Sequence, residues 1–305
     1  VSFNRNGSLT EITASNNSII NYDSFDIAID ETVRFIQPTD RSRVLNRIQG
    51  DDPTTIAGKL LANGQVYIVN PAGIYFTNGS LVDVGELYAA AGDITDQEYL
   101  AGIDHFTNVT GSIINDGRIV AETVALVGQF VANNGEIISS DGLITLAVGD
   151  DVYLTRQGSH IMVKVGSVSG DELTGKAGAD NTGVINAGSG SVSLVSGDMY
   201  ALAMGVSSSG SIAGGEVKLE SGEKGMTVVS GQIDVANAGP GNTGGKVEIL
   251  GERVGLFSAD IDASGVNGGG EVLVGGDYQG GNADIRNAGR VVVNEETTIK
   301  ADALE

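Results

Sequence analysis

A short unit recurs along most of the chain, and this repetition restricts the fold more than any other feature of the sequence. The unit that begins at Asn115 aligns with the unit at Asn133, so that Gly117 matches Gly135. Related units begin further along the chain, at Thr182, Ser209, Ser230 and Ser258, with a partial copy from Ala283. The spacing of about 18 to 28 residues is typical of stacked repeat architectures.

Within each copy, apolar residues occupy every second position, as at Val217 and Leu219 or Val247 and Ile249. This period of two indicates β-strands with one buried face. Two or three short strands cannot bury that face alone, so successive units must stack and share an interior. The sequence therefore predicts a parallel β-helix of about ten to thirteen coils, roughly 50–60 Å long at ~4.8 Å per coil. A sandwich or a propeller is less favoured, because the repeat is about half a propeller blade.

The chain of 305 residues carries a formal net charge of −22. This charge argues against nucleic acid as a partner, because phosphates would be repelled, and it disfavours a basic contact with an anionic membrane. The chain has no cysteine, which excludes disulfides and cysteine metal sites. No run approaches the ~18 apolar residues of a membrane-spanning helix, so we expect no stable membrane insertion.

The stretch "NGQVYIVNPAGIYFTNGS", from Asn63, places turn residues between apolar runs. Pro71 fixes φ and interrupts a strand ladder, and asparagine and glycine adopt the backbone conformations that sharp corners need. The Asn70 amide can satisfy neighbouring backbone groups, especially in a ladder with asparagines of adjacent coils. We expect this stretch to form a corner of the β-helix.

The segment between Ala91 and Thr110 lacks the repeat pattern. Its sequence "DQEYLAG", from Asp96 to Gly102, is compatible with one or two helical turns. We therefore expect a short extra-helical loop here.

Long segments of the N-terminal half resemble a known family. "VLNRIQGDDPTTIAGKLLANGQVYIVNPAGIYFTNGSLVDVGEL" and "GSIINDGRIVAETVALVG" are similar, in the same order, to the haemagglutination-activity domain of filamentous haemagglutinin-like proteins. These proteins are the secreted partners of bacterial two-partner secretion. The resemblance covers residues 1–165, and the segment from Ile261 resembles repeats found downstream in such exoproteins.

The resemblance implies an all-β fold, a right-handed parallel β-helix with short extra-helical loops. An open β-helix end is an aggregation-prone edge, so we expect residues 1–30 to cap the first coil. The resemblance also divides the chain into a two-partner secretion domain over residues 1–165, which includes the cap, and continuing β-helix repeats of the exoprotein shaft over residues 166–305.

In this family an outer-membrane transporter recognises the N-terminal module through its periplasmic domains, and the chain folds outside the cell. The resemblance therefore implies an adhesin-type exoprotein secreted to the bacterial cell surface, with host or cell-surface glycans or other cells as further partners. The family usually has a second asparagine where this chain has Ala72. The residues to which the resemblance assigns transporter recognition are Asn63, Gly64, Asn70, Pro71, Gly73 and Ile74.

Two other functions stay open from the sequence, a carbohydrate-active enzyme and a structural subunit of an extracellular fibre or sheath. Parallel β-helices host polysaccharide lyases and hydrolases, which need clustered carboxylates. The candidate pairs, each more simply explained by turn or strand-end chemistry, are Asp51 with Asp52, Asp150 with Asp151, and Asp260 with Asp262. His105 and His160 lack a metal-ligand spacing. We expect no catalytic residue, no metal and no cofactor.

Overall fold

The structure, a computed structural model, describes residues 1–157, 160–165, 178–197 and 204–305. Its strands form three long sheets and one small sheet. Sheet 1 has 12 strands, sheet 2 has 10 and sheet 3 has 9. Neighbouring strands within the long sheets run parallel, apart from the first pair of sheet 1. The parallel β-helix predicted from the repeat is confirmed.

The strands are, in chain order, β1 Ser2–Asn6, β2 Leu9–Thr13, β3 Ser18–Tyr22, β4 Thr32–Ile36, β5 Arg43–Ile48, β6 Thr54–Ile56, β7 Lys59–Ala62, β8 Gln65–Val69, β9 Ile74–Phe76, β10 Leu81–Asp83, β11 Glu86–Ala90, β12 Asp104–Phe106, β13 Ser112–Asn115, β14 Arg118–Val120, β15 Thr123–Gly128, β16 Phe130–Asn133, β17 Glu136–Ile138, β18 Leu143–Val148, β19 Val152–Gln157, β20 His160–Val165, β21 Ala179–Asn181, β22 Val184–Asn186, β23 Ser191–Ser196, β24 Met204–Ser208, β25 Ser211–Ala213, β26 Glu216–Glu220, β27 Met226–Val229, β28 Gln232–Asp234, β29 Lys246–Leu250, β30 Arg253–Leu256, β31 Asp260–Asp262, β32 Glu271–Val274, β33 Arg290–Val293 and β34 Thr298–Lys300. One α-helix, α1, spans Asp96–Ala101, and a 3₁₀ turn spans Tyr278–Gly280. Sheet 1 contains β1, β2, β4, β7, β10, β14, β17, β22, β25, β28, β31 and β34; sheet 2 contains β3, β5, β8, β11, β15, β18, β23, β26, β29 and β32; sheet 3 contains β6, β9, β13, β16, β21, β24, β27, β30 and β33; and the small insertion sheet contains β12, β19 and β20.

Each full coil crosses sheet 3, then sheet 1, then sheet 2, as β13, β14 and β15 do. The register stacks equivalent residues of successive coils, so that Val82 lies opposite Leu60 on one side and Ile119 on the other. These columns form one continuous hydrophobic core that runs from Ile12 to Ala263. The coils therefore share a single interior, as the repeat pattern requires.

The N-terminal hairpin covers the first edge of sheet 1. β1 pairs antiparallel with β2, with Ser2 opposite Thr13, and all five residues of β1 are exposed. Because the direction of the chain reverses here, the parallel stacking of coils ends at this hairpin. The cap predicted for residues 1–30 is narrower in the structure, because β2 and β3 already belong to sheets 1 and 2 and pair in parallel with the next coil.

Two insertions leave the corner between sheet 2 and sheet 3 and pair with each other outside the β-helix. The first insertion, residues 91–111, contains α1 and β12, and the second, which follows β18, contains β19 and β20. β12 pairs antiparallel with β19, and β19 with β20. Tyr99, Phe106 and Val152 of the insertions pack in an apolar cluster on the outer face of sheet 2. The predicted extra-helical loop is thus half of a larger unit.

Local sequence accounts for α1. The Thr95 side chain accepts a hydrogen bond from Glu98 N, as an N-cap residue does, and donates one to Glu98 Oε2. The helix ends at Gly102, whose φ of 74° is the left-handed conformation of a glycine C-cap. Tyr99 is the buried residue of this helix and faces sheet 2.

Sheet 2 continues across the predicted domain boundary, since β18 and β23 pair over six residues. Residues 166–177 beside that boundary lie outside the described part of the chain. The division into residues 1–165 and 166–305 stays a prediction.

Candidate functional site

The segment Asn70 to Ile74 forms the corner between β8 and β9, where the chain passes from sheet 2 to sheet 3. Gly73 N donates to Asn70 O at 3.0 Å, which closes a four-residue turn. Ala72 N donates to the side-chain Oδ1 of Asn70, also at 3.0 Å, as in an Asx turn. Pro71 occupies the second position, where its fixed φ suits the turn. The segment is a corner, as predicted.

The Asn70 side chain also ties this corner to the preceding coil. It is fully buried, and its Nδ2 donates to Asp52 O and to Thr54 Oγ1, each at 3.0 Å. With Oδ1 bonded to Ala72 N, both amide hydrogens and the amide oxygen have partners. An aspartate could not donate the two bonds, so the site requires the amide.

The end of the first insertion lies directly on this corner. Gly73 has a φ of 121°, which favours glycine. A Cβ on Gly111 would lie 2.6 Å from both Gly73 N and Pro71 O, so Gly111 permits the close approach. Thr110 Oγ1 donates to Pro71 O at 3.0 Å. Ile74 follows as a fully buried core residue.

Asn63 and Gly64 lie at the other end of β8, at the corner between sheet 1 and sheet 2. Asn63 Oδ1 accepts from Gln37 N and its Nδ2 donates to Gln37 O, both at 2.8 Å. Gly64 is buried, and a Cβ there would lie 2.6 Å from Ser42 O. The five residues of β8, about 16 Å of strand, separate this pair from Asn70. The structure therefore places the predicted recognition residues at two corners and does not bring them together.

A groove of about 420 Å³ borders the corner at Asn70. Its lining includes Pro71 and Ala72, both partly exposed, together with Arg47 and Asp93. Arg47 is already paired, with Asp93 at 3.1 Å and with Asp96 at 2.7 Å. Pro71 and Ala72 are thus the accessible part of a motif whose other members at this corner are buried.

A ladder of buried asparagines stands at a different corner, between sheet 3 and sheet 1. Asn115 Nδ2 donates to Asn133 Oδ1 at 2.7 Å, and Asn133 Nδ2 donates to Asn181 Oδ1 at 2.8 Å. Asn181 Nδ2 continues to Ser208 Oγ at 3.4 Å. The ladder considered for Asn70 is therefore built from other residues. The signal that locates it is the Asn-x-Gly sequence that recurs at Asn115, Asn133 and Asn181.

In the acidic pairs, Asp262 and Asp151 have hydrogen-bond partners. Asp260 and Asp262 point to the same outer face of β31. Ser264 lowers the pKa of Asp262 by hydrogen bonding, and its backbone N donates to Asp262 Oδ1 at 2.8 Å. Asp51 and Asp52 lie exposed at a corner, and Asp151 contacts His105 of the insertion sheet at 3.2 Å. The side chain of His160 lies outside the described residues.

Two further findings concern only the part of the chain that the structure describes. In it, no three or more histidine, cysteine, aspartate or glutamate side chains are grouped so that they could hold a metal ion. In the same residues, no helix has the length and apolar character needed to cross a membrane.

The TPS secretion domain family model matches residues 3–249 of this chain. A heme/hemopexin-binding protein of Haemophilus influenzae (strain ATCC 51907 / DSM 11121 / KW20 / Rd) is 31% identical over 181 residues, which cover 55% of this chain and 19% of that protein. A second heme/hemopexin-binding protein of Haemophilus influenzae is 39% identical over 80 residues, covering 26% of this chain and 9% of that protein. The matches span about a fifth or less of the length of these relatives.

Two solved structures have the same fold. The HMW1 secretion domain from Haemophilus influenzae has a TM-score of 0.84 and 27% identity, covering 100% of this chain and 82% of that one. The filamentous hemagglutinin secretion domain has a TM-score of 0.60 and 14% identity, covering 96% of this chain and 97% of that one, and shows the fold alone. Because the family model matches most of the length of this chain, the chain belongs to the TPS secretion domain family.

Proposed function

We propose that this chain is the N-terminal secretion module and the first shaft rungs of an adhesin-type exoprotein, exported by an outer-membrane two-partner secretion transporter. Two-partner secretion exoproteins are secreted through the outer membrane to the cell surface. The observation that carries the proposal is the match of the TPS secretion domain over residues 3–249. Adhesive contacts with host or cell-surface glycans or with other cells belong to the same proposal, for the whole exoprotein.

In this proposal the periplasmic domains of the transporter recognise the motif before it folds. Folding buries Asn70, Gly73 and Ile74 and commits the Asn63 amide to Gln37. Withdrawing Asn70 from the folded corner would leave several buried polar groups unpaired, at roughly 1–3 kcal/mol each. The extended chain presents the same amides without that cost, so the unfolded form is the better ligand.

Folding then proceeds coil on coil outside the cell. Each strand of a long sheet bonds to the coil before and the coil after, as β11 does with β8 and β15. A lone coil leaves its ladders unpaired, so stability accumulates only as coils stack. The required pairings are non-local and therefore slow, which keeps the chain extended until it reaches the surface.

Secretion of the full chain with its partner transporter tests the assignment. The motif variant carries Asn70→Asp and Asn63→Ala, and the matched control carries Asn133→Asp. Asn133 is also fully buried and hydrogen-bonded to two coils, yet it lies outside the motif. We expect the motif variant to lose secretion and the control to retain more of it. Secretion of the motif variant at the wild-type level would remove these residues from the recognition role.

Capture by the isolated periplasmic domains separates recognition from folding. We expect them to bind the chain freshly diluted from denaturant and to bind the folded chain weakly. The motif variant should be captured poorly even when unfolded, while Asn133→Asp should be captured like wild type. Equal capture of folded and unfolded chains would contradict recognition before folding.

The proposed function includes no catalytic step. It is supported by the membership of a secretion-domain family and by the hydrogen-bond partners of Asp151 and Asp262. Incubation of the purified chain with acidic polysaccharides, with and without Ca²⁺, is the direct test. Release of shortened or unsaturated products would overturn this part of the proposal.

A further inference from the structure

His105 joins the two insertions at a buried position on β12. Its Nδ1 lies 2.6 Å from Glu98 Oε1 of the first insertion, and its Nε2 lies 3.2 Å from Asp151 Oδ1 of the second. The ring stacks on Tyr153 of β19, with 3.6 Å between ring centroids and 11° between planes. One imidazole thus contacts Glu98 of the first insertion and both Asp151 and Tyr153 of the second.

The arrangement fits a charged ring. A neutral imidazole has one N–H, so one of its nitrogens would turn a lone pair toward a carboxylate oxygen. The imidazolium donates from both nitrogens and satisfies Glu98 and Asp151 together. A cation is also favoured by stacking on the face of Tyr153.

The Glu98 and Asp151 carboxylates differ in how easily each can move away from the His105 ring. Glu98 is 25% exposed, and Thr95 Oγ1 donates to it at 2.5 Å. Hydrogen bonding from Thr95, and then from His105, lowers the pKa of Glu98. Asp151 is 54% exposed and can turn into solvent. When the ring loses a proton from Nε2 to water, Nδ1–H keeps Glu98, and the contact with Asp151 is the one that breaks.

Three other residues with ionisable side chains adjoin this junction in sequence or in strand register. Asp104, the neighbour of His105 on β12, accepts a hydrogen bond from Tyr67 at 3.0 Å. Asp150 precedes Asp151, and Lys164 of β20 lies opposite Tyr153 in the strand register.

We propose that His105, Glu98, Asp151 and Tyr153 form a proton-controlled clasp between the two insertions. With the ring charged, the clasp holds the second insertion to the first; with the ring neutral, it releases Asp151. This inference goes beyond export and concerns the folded module.

The clasp matters because the insertion sheet covers an apolar surface. Tyr67, Tyr88, Val127 and Ala147 of sheet 2 are buried beneath the insertions. The pairing of β12 with β19 persists when the clasp opens, but it comprises only three residue pairs. Release therefore makes local opening more frequent without unfolding the β-helix.

Hydrogen exchange of the β12 and β19 amides in the full chain tests the clasp. After correction for intrinsic exchange, we expect opening to be roughly three- to tenfold more frequent at about pH 8 than at about pH 5.5. Asp151→Asn should open more at both pH values and lose most of this dependence. Asp260→Asn, which removes an exposed carboxylate from β31 of sheet 1, should behave as wild type.

Nitrogen NMR of the ring supplies a second readout. The chain has 2 histidines, so the variant His160→Gln identifies the His105 signals. We expect both ring nitrogens protonated in acid and the Nδ1–H tautomer after deprotonation. The clasp is overturned if the neutral ring holds its proton on Nε2. It is also overturned if wild-type opening is the same at both pH values, or if Asp151→Asn keeps the full dependence.

Discussion

The two halves of sheet 2 have the same parallel strand pairing, but their outer faces differ in burial. In β11, β15 and β18 every residue is buried, whereas in β23 and β26 buried residues alternate with partly exposed ones. The insertion sheet covers the first group, whereas the outward residues of the second group are partly exposed. The coils from β21 onward are called the open half. Inward positions are apolar in both halves because each coil must line the shared interior. Outward positions depend on what lies over them.

One outward column shows the change residue by residue. It begins with Tyr67, Tyr88 and Ala125 beneath the insertions. It continues on the open half with Lys218 and Glu248, which pair in register. The column therefore passes from apolar residues through Thr145 and Ser193 to charged residues, without any change in strand register.

A buried charge should separate the two halves most strongly. Val127 and Val195 occupy the same outward column through Ala147, but Val127 is fully buried and Val195 is partly exposed. We expect Val127→Asp to lower the free energy of unfolding by about 3–5 kcal/mol, because it buries an unpaired carboxylate between apolar layers. Val195→Asp should cost less than about 1 kcal/mol. Urea denaturation measures both, and equal losses would contradict the assigned cover.

Inward truncations should affect the two halves alike. Leu126 and Leu219 are both fully buried in the common core, one beneath the insertions and one on the open half. We expect Leu126→Ala and Leu219→Ala each to cost about 3 kcal/mol of unfolding free energy, since each leaves a comparable cavity. The same denaturation experiment applies. A substantial loss in only one variant would show that the interior is not shared.

The asparagine ladder gives an intermediate effect. Its column continues on the open half as Val229 and Leu256, which shows that the corner accepts apolar residues. We expect Asn133→Val to cost about 1–3 kcal/mol, because it leaves Asn115 and Asn181 with unpaired buried groups.

The combined replacement of Asn115, Asn133 and Asn181 by valine should cost less than the sum of the three single losses. This follows because no buried side-chain amide would then lack a hydrogen-bond partner in the neighbouring coil. Thermal or urea unfolding of the four variants decides it, and strictly additive losses would show that the ladder is not a unit.

The smallest expected effect is acid sensitivity of the first insertion. The folded-state pKa of Glu98 lies below its ordinary value of 4.5, through Thr95 and His105. The stabilisation is therefore complete above about pH 4.5 and is lost as pH falls through the lowered folded value. It should amount to less than about 1 kcal/mol, because the carboxylate is partly exposed.

Glu98→Gln should remove this acid dependence from the exchange of α1 amides. Asp262→Asn on the open half, where Ser264 lowers the Asp262 pKa, should leave α1 unchanged. An unaltered acid profile in Glu98→Gln would assign the effect elsewhere.

The repeat alone was sufficient to predict the β-helix. Alternation at positions such as Val217 and Leu219 recurs along the repeats, and a period of two shows which side chains of a strand face the interior. The corner at Pro71 and the helical turn near Tyr99 were predictable for the same reason, because proline, glycine and capping residues act over a few positions.

Only the tertiary structure decided what meets across coils. It placed Asn63 and Asn70 at opposite ends of β8, and it assigned the ladder to Asn115 and its partners. It also brought His105 to Asp151 across 46 residues. Each coil repeats the same alternation of apolar residues and the same turn residues, so the sequence by itself determined the β-helix. Contacts between insertions depend on where two irregular segments return to the same outer face, and no local period encodes that return.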